Sequence, residues 1–371
     1  MTIYNAFIEE MGAMFSGKTV PYHKASLMIA TLTCAIFSMV FSHGTVFEGK
    51  IAVIDLDNSV YSTNLIERIN TSSYIDVKEV IHTPINVNAL TANDRNIGIL
   101  YLPHGLEENI KSGKSQTSIG YFADYSNDAQ NAETISALNE ILATDNASIS
   151  APKIASLGLG VEQTEALVTP LRLQTRELYN PTHSATNTTV ISFVNFFCSI
   201  FLTVTQLMLV GRLRVSGRWE HVLKGTPLTL VARSIPYVLF YVTSIALMMS
   251  VLAVFGQLRF SGNFYAYLPS MFMTGFAFGM LAIIISWTAK NPGQGASRMI
   301  FLVPPGFITG GATMAVGMLP LWGYYASYAF PLVWQYRFFR DFALRGEMIT
   351  NMLFFYGLYF CYLLVLFGVI T

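Results

Sequence analysis

Long stretches without a charged side chain make up most of this chain, and short charged segments separate them. The uncharged stretches are residues 25–47, 178–211, 234–258, 260–289, 299–336 and 348–371. Each is longer than the about 20 residues that a helix needs to cross the hydrocarbon core of a bilayer. The pattern predicts an α-helical polytopic membrane protein with about six transmembrane helices.

A different pattern occupies residues 1–22, ahead of the first uncharged stretch. Apolar side chains recur there at spacings of three and four residues, while Glu9 and Glu10 fall on the opposite side. This periodicity is typical of an amphipathic helix. We expect residues 1–22 to form an interfacial helix at the membrane surface and residues 23–47 to form transmembrane helix 1.

The segment 48–180, between the first two spans, alternates short apolar runs with helical stretches. The predicted strands are residues 50–56, 74–81, 96–102 and 117–123. The predicted helices are residues 62–69, 87–93, 105–111, 128–146 and 161–177. We interpret this segment as an inserted α/β domain between transmembrane helices 1 and 2.

The stretch 299–336 is too long for one span, and Pro304, Pro305 and Pro320 interrupt it. Breaks of this kind need protein or a water cavity beside them, because unsatisfied backbone groups are costly in lipid. We expect a helix that crosses outward, followed by a re-entrant or interfacial segment at 314–345. Residues 181–371 would then hold transmembrane helices 2–6.

The charge distribution gives the predicted spans a direction. Only 12% of the residues are charged and 53% are hydrophobic, and the net charge is zero. Residues 48–177 nevertheless hold 17 acidic and nine basic residues, so the remainder of the chain is net positive. Lysines and arginines concentrate before the first span and after the second and fourth spans, which places those loops in the cytoplasm. Both termini are then cytoplasmic and the α/β domain is extracytoplasmic.

The stretch GAMFSGKT, residues 12–19, fits the phosphate-loop pattern G-x-x-x-x-G-K-[ST], and IAVID at 51–55 looks like the strand that often accompanies it. A phosphate loop needs a strand before it and a helix behind it. Here a helical pattern precedes the glycines, and Asp55 is predicted on the other side of the membrane. We interpret the motif as a chance match within the interfacial helix.

No other spacing points to a catalytic, metal or cofactor-binding site. Asp55 and Asp57 follow a predicted strand and are typical of a cap for the next helix. His82 and His104 lack the close spacing of zinc ligands, and G-x-S-x-G and H-E-x-x-H do not occur. We therefore expect no enzymatic activity, no cofactor in this chain and no nucleic-acid partner.

The cytoplasmic loop at 211–230 combines arginines with apolar residues. A solvated positive loop explains the arginines, but it does not explain Trp219, Val222 and Leu223. A surface that binds a partner explains both features. We therefore regard this loop as the main candidate for a functional contact.

Here the sequence resembles the ABC-2-type permeases, the membrane subunits of ATP-binding-cassette (ABC) exporters, whose second cytoplasmic loop follows R-x-x-G-T-x-E-x-L-L-x-T-P. The matching positions are Arg214, Gly217, Glu220, Leu223, Thr226 and Pro227. Arg218 replaces the usual Thr, and one extra residue precedes Thr226. Residues 318–346 are similar to the M-P-x-W … P-L … R-x-x-x-L-x-G run of the family. KIAVIDLDNS and IGILYLPHGLEENIKSGKSQ resemble the branch with a large periplasmic domain after the first helix.

The resemblance implies a permease of the bacterial cytoplasmic (inner) membrane that forms a homodimer or heterodimer with a second permease copy. A separate cassette ATPase would bind ATP and Mg and dock on the cytoplasmic loops. The resemblance also implies an interfacial connecting helix around GAMFSGKT. The expected ATPase-coupling residues are Arg214, Gly217, Arg218, Trp219, Glu220, His221, Leu223, Thr226 and Pro227. The extracytoplasmic domain is a candidate docking site for a periplasmic adaptor protein.

We expect an amphipathic or hydrophobic substrate, drug-like or lipid-like, to be exported. The candidate path residues are Phe193, Phe196, Phe197, Phe272 and Met273, with the alternative that they face lipid or one another. A membrane-anchored envelope scaffold or phage-receptor-like surface protein without transport activity is the alternative function. That alternative would keep the exterior domain but would not need the pattern at 219–227.

Overall fold

The computed structural model describes residues 2–41, 48–87, 90, 96–112, 118–123, 131–155, 180, 184–314 and 316–371. The chain divides into two compact units. A helical unit comprises Met1–Gly44 and Glu177–Thr371, and an α/β unit comprises Thr45–Arg176. The described residues are mainly helical, which confirms the prediction of a helical polytopic protein.

Helix α1 spans Ile3–Phe15, and α2 spans Tyr22–Val40. The side chain of Thr2 accepts a hydrogen bond from the Asn5 N–H at 3.2 Å and so caps α1. The chain leaves α1 through Gly17, whose φ of +72° favours glycine. Residues 12–15 of GAMFSGKT are therefore helical, and no strand precedes them in residues 2–11.

The orientation of α1 differs from the sequence expectation. Ala6, Glu10 and Met14 are buried, so one polar side chain lies on the face that contacts the rest of the unit. Several apolar side chains of the same helix are exposed, namely Ile3, Tyr4, Ile8 and Phe15. The physical reason is that Glu10 is held by arginines of other elements, which hydrophobic periodicity does not register.

The α/β unit contains one four-stranded sheet in the order β2-β1-β3-β4. The strands are β1 Gly49–Asp55, β2 Ile75–Ile81, β3 Gly98–Leu102 and β4 Gly120–Ala123. β1 is parallel to β2 and β3, and β4 is antiparallel to β3. β1 is nearly fully buried, as expected for an apolar strand with a neighbour on each side.

Three helices accompany the sheet: α3 Val60–Asn70, α4 Leu106–Ser112 and α5 Ala132–Ala155. α3 places Leu65 and Ile69 against Ile51 and Val53 in one core cluster. The helix predicted at 128–146 extends to Ala155 and accommodates Pro152 near its end. The helix predicted at 161–177 and most of the one at 87–93 lie outside the described residues.

The helical unit continues with α6, which spans Ile191–Val215 after a π-helical turn at Thr186–Val190. The next helices are α7 Trp219–Leu223, α8 Pro227–Ala232, α9 Ile235–Phe255 and α10 Phe264–Ser286. α6 packs against α2, α9 and α10, and a polar row on its buried face consists of Asn195, Ser199, Thr203 and Gln206. These contacts place α6 at the centre of the bundle.

The segment after α10 is divided into short helices. They are α11 Pro292–Ala296, α12 Val303–Thr309, α13 Leu321–Ser327 and α14 Pro331–Phe339, with 3-10 turns at Ser297–Phe301 and Val316–Met318 and a π-helical turn at Arg340–Leu344. The last helix, α15, spans Ile349–Ile370. Trp334 stacks on Tyr359 at 4.6 Å and Phe338 lies 4.5 Å from Tyr356, so α14 and α15 run antiparallel.

Five stretches of the described residues are long and apolar enough to cross a membrane: Tyr22–Val40, Thr186–Val215, Pro227–Phe255, Phe264–Ser286 and Ile349–Ile370. The sixth predicted span, within 299–336, is not one continuous helix. Prolines at the start of α12, α13 and α14 divide it, because a proline lacks the N–H that continues a helix. The count of six spans therefore stays a prediction.

Candidate functional site

The loop predicted to contact a partner forms a short helix between two breaks in the chain. Gly217, with φ of +68°, ends the turn after α6, and α7 follows at Trp219. Thr226 is extended, and Pro227 is the first residue of α8, the position where proline fits a helix best. The loop thus presents α7 as a separate one-turn helix.

Trp219 fixes α7 to the bundle. Its ring is buried and packs edge-on against Trp287 with 5.1 Å between centroids. The guanidinium of Arg214 lies 5.0 Å from the Trp219 ring centre and donates a 2.6 Å hydrogen bond to the Trp287 carbonyl. This stacking joins the ends of α6 and α10 to α7. Trp219, which was expected to contact the ATPase, has its side chain directed inward, and its role in coupling stays a prediction.

The opposite side of α7 is open. We give the name α7 face to five exposed residues in and just after α7, namely Glu220, His221, Leu223, Lys224 and Thr226. Leu223 is 47% exposed, whereas Val222 is buried behind it. A helix of one turn thereby offers charged and apolar groups on a rigid support.

A buried ion-pair network lies beside this face and was not expected from the sequence. Glu10, which is 2% exposed, accepts hydrogen bonds from Arg212, from Arg233 at 3.1 Å and from the Tyr237 hydroxyl at 2.7 Å. Arg233 is among the most buried large side chains of the protein. Each of these charges thus has a partner of opposite sign, as buried charges require.

Glu9 continues the network toward α7. One carboxylate oxygen accepts a 2.8 Å hydrogen bond from Arg233, and the other forms an ion pair with Arg218. Partial burial raises the pKa of Glu9, but the two guanidinium groups outweigh it and hold the pKa below its ordinary value. Glu9 is therefore ionised at neutral pH.

The only sequence signal for this network was the Glu9–Glu10 pair within an otherwise apolar helix. Their partners lie more than 200 residues away along the chain. No periodicity links residues at such a distance, so only the folded arrangement reveals the contact.

The two halves of the apparent nucleotide-binding motif belong to different compact units. Asp55 is buried and accepts hydrogen bonds from the Ser62 hydroxyl at 2.8 Å and from two backbone N–H groups. Asp57 accepts from the N–H groups of Leu106 and Glu107. The expectation that these aspartates cap the next helix, α3, is wrong: Ser59 caps α3. Asp57 caps a later helix, α4.

Among the candidate substrate-path residues, the structure brings three phenylalanines together. Phe193 stacks on Phe37 of α2 at 4.2 Å, and Phe196 stacks on Phe307 of α12 at 4.1 Å. Phe197 contacts both Phe193 and Phe196. All of these rings are half-buried. We call the three phenylalanines, together with Phe37 and Phe307, the aromatic cluster.

The other two candidates lie on α10. Phe272 and Met273 are half-buried and pack against the bundle core. Within the described part of the chain, no ring contact joins Phe272 to the aromatic cluster. No group of three or more His, Cys, Asp or Glu side chains with metal-binding proximity occurs among the described residues.

The chain was compared with protein families and with curated proteins. Residues 25–370 match the family described as ABC-2 family transporter protein. No curated protein matches the chain significantly. The family match covers all five candidate spans except the first residues of α2. Because it extends over nearly the whole chain, this protein belongs to the ABC-2 transporter family and is an ABC-2-type permease.

Proposed function

We propose that the chain is the permease subunit of an ABC exporter that moves an amphipathic or hydrophobic substrate outward across the bacterial inner membrane. A separate cassette ATPase supplies the energy, and it binds the ATP and Mg. The family match supports an ABC transporter and therefore an ATPase partner. It also favours transport over the envelope-scaffold alternative.

The observation that carries the proposal is the α7 face. Trp219 packs against Trp287 and Arg214, so α7 is attached to the ends of α6 and α10, and a displacement of α7 is passed on to them. Glu220, His221 and Leu223 remain available to that partner. A supported helix with a mixed charged and apolar surface suits the docking of an ATPase subunit, since binding sites built on helices are more precise than sites on loops.

Basic residues support the assignment of the α7 face to the cytoplasm. Arg214 donates to the carbonyl of Trp287, and Arg298 donates to that of Ile285, so the two basic loops lie at the same end of the bundle. Loops rich in Lys and Arg stay on the cytoplasmic side. Both termini are then cytoplasmic if six spans are present, and the α/β unit is extracytoplasmic.

The aromatic cluster is our candidate for the substrate path. Its rings come from α2, α6 and α12 and are half-exposed on a single protomer. A second permease copy facing this surface would enclose an aromatic passage suited to drug-like or lipid-like molecules. The α/β unit is the candidate contact for a periplasmic adaptor.

The test is affinity purification of the tagged chain from native membranes in mild detergent, followed by mass spectrometry and an ATPase assay. We expect a cassette ATPase to be recovered with the wild type and lost with Glu220→Arg. Lys18→Ala serves as the matched control and should retain full activity, because GAMFSGKT binds no nucleotide in this proposal. Hydrolysis that disappears with Lys18→Ala, or the absence of any ATPase partner, would contradict the proposal.

A further inference from the structure

The consecutive residues Glu9 and Glu10 are held in two physically different ways. Glu10 is 2% exposed, and its three donors are Arg212, Arg233 and Tyr237, all on helices of the bundle or immediately beside them. Glu9 is 28% exposed and is shared between Arg233 and Arg218. Arg233 is therefore bound to both carboxylates, whereas Arg218 forms an ion pair with Glu9.

The Glu10 half of the network is fixed. Removing Arg212 or Arg233 would take one of two positive charges away from the buried Glu10 carboxylate, which is unfavourable because a buried charge needs its partners. Arg233 and Glu10 are each only 2% exposed, so water cannot replace a lost partner. Helix α1 is thus anchored to the ends of α6 and α9 throughout any motion that keeps the unit folded.

The Glu9 half can open at little cost. The Arg218 side chain is 60% exposed and is hydrated as soon as it leaves Glu9. Glu9 then still neutralises Arg233, so no buried charge is orphaned. Exposed ion pairs contribute little to stability, and this contact can therefore break and re-form repeatedly.

Arg218 also occupies a decisive position in the chain, because it is the residue directly before α7. Its backbone moves whenever Trp219 and the α7 face move. A displacement of α7 by a docked partner accordingly pulls on Glu9, which lies on a helix that the same partner need not touch.

We propose that the Glu9–Arg218 ion pair is a latch between the ATPase-docking helix α7 and helix α1, opening and closing once in each transport cycle. The inference rests on the proposed function, since it requires an ATPase docked on α7. Glu9 and Arg218 are positioning residues that act through α1. They contact neither substrate nor nucleotide.

Helix α1 is built to pass such a motion to the first span. Phe15 at its end packs on His23 of α2 at 4.4 Å and on Phe240 of α9 at 6.1 Å. The connection between α1 and α2 is only residues 16–21. Rotation of α1 about its fixed Glu10 anchor therefore turns the start of α2, which packs along α6.

The test holds positions 9 and 218 together with a covalent link. Glu9→Cys and Arg218→Cys are introduced together with Cys361→Ser, since Cys361 is exposed while Cys34 and Cys198 are buried. A cleavable bis-methanethiosulfonate reagent links the two new thiols in the complex purified with its ATPase. The measured quantity is ATP turnover before linking, after linking and after reduction with dithiothreitol.

We expect linking to lower turnover by at least about fivefold, the scale of ordinary coupling between sites, with recovery on reduction. The single-cysteine variants treated in the same way should be unaffected. In addition, Arg218→Gln should change turnover in the wild-type background but not in the Glu9→Gln background, whereas Arg218→Lys should keep the wild-type rate.

The possible failures are distinguishable. If the ATPase is recovered and its turnover is the same with and without the link, the latch is overturned and the proposed function stands. If no ATPase accompanies the wild-type chain, the proposed function is overturned and the latch with it. Loss of the ATPase only in the doubly substituted, unlinked variant would also overturn the latch, because it would show that the pair holds the docking site together instead of opening.

Discussion

Glu10 and Arg233 form an ion pair with both side chains 2% exposed and 3.1 Å between Oε2 and Nη1. They are 223 residues apart in the chain. The pair brings the N-terminal helix against the loop that carries the α7 face. Both charges of this pair are buried, whereas the neighbouring Glu9–Arg218 pair is open to water.

The first prediction compares two arginines that share Glu9. Arg233→Met should lower the stability of the purified protein by about 1–3 kcal/mol, because the buried Glu10 loses one of its two charged partners while Arg212 remains. Arg218→Met should cost at most about 1 kcal/mol, because water replaces the exposed guanidinium. Equilibrium unfolding in mixed detergent–SDS micelles, followed by circular dichroism, measures both free energies. Equal losses would contradict the distinction between the two halves of the network.

The second prediction concerns the two tryptophans. Trp219 and Trp287 lie edge to face at 5.1 Å, a geometry worth about 0.5–1.5 kcal/mol beyond area burial. In a double-mutant cycle with Trp219→Leu and Trp287→Leu, the second substitution should cost less once the first is present. The same stability measurement gives the coupling, and Trp322→Leu with Trp219→Leu is the control, since Trp322 is exposed. Additive losses for the Trp219–Trp287 pair would show that the contact is incidental.

The third prediction tests the close approach of α11 to α6. A Cβ on Gly295 would lie 2.1 Å from the Leu207 carbonyl oxygen, and one on Gly211 would lie 2.3 Å from the backbone of Asn291. Gly295→Ala and Gly211→Ala should each cost about 1–3 kcal/mol, because backbone must shift to admit the methyl group. Gly357→Ala, with nothing within 4 Å, is the matched control and should be neutral or slightly stabilising. A control variant as unstable as the other two would refute the packing argument.

The fourth prediction concerns pH and the α/β unit. Partial burial raises the pKa of Asp57. Hydrogen bonds from Ser59 and from the N–H groups at the start of α4 lower it by a larger amount, so the pKa lies below its ordinary value. The stabilisation is therefore complete above the ordinary aspartate pKa of about 3.9 and is lost as the pH falls through the lower folded value.

Hydrogen exchange in α4 of the intact protein measures this effect. At neutral pH, Asp57→Ala should weaken the protection of residues 106–112 by about 1 kcal/mol, the usual contribution of a helix cap. Wild-type and Asp57→Ala protection should converge in acid, after correction for the intrinsic exchange rate. Glu140→Ala, an exposed position on α5, is the control. Equal protection of α4 in wild type and Asp57→Ala at neutral pH would rule out the cap.

Much of the candidate site was visible in the sequence. Trp219, Val222 and Leu223 could not be explained as part of a solvated loop, and the structure places Trp219 and Val222 inside and Leu223 outside. The order of motifs predicted the ABC-2 family, and the family match confirms it. The roles of the individual coupling residues stay predictions until the purification and latch experiments are done.

The sequence by itself determined the features that depend on neighbours along the chain: the apolar spans, the amphipathic α1, the strand positions and the breaks at prolines and glycines. Those features follow from side-chain periodicity and backbone preference, which act over a few residues. Only the tertiary structure decided that Glu10 turns inward to Arg233, that Asp57 caps α4 instead of α3, and that α11 touches α6 at Gly295. Such contacts join residues tens to hundreds of positions apart, and they exist only because packing brings the elements that carry them together.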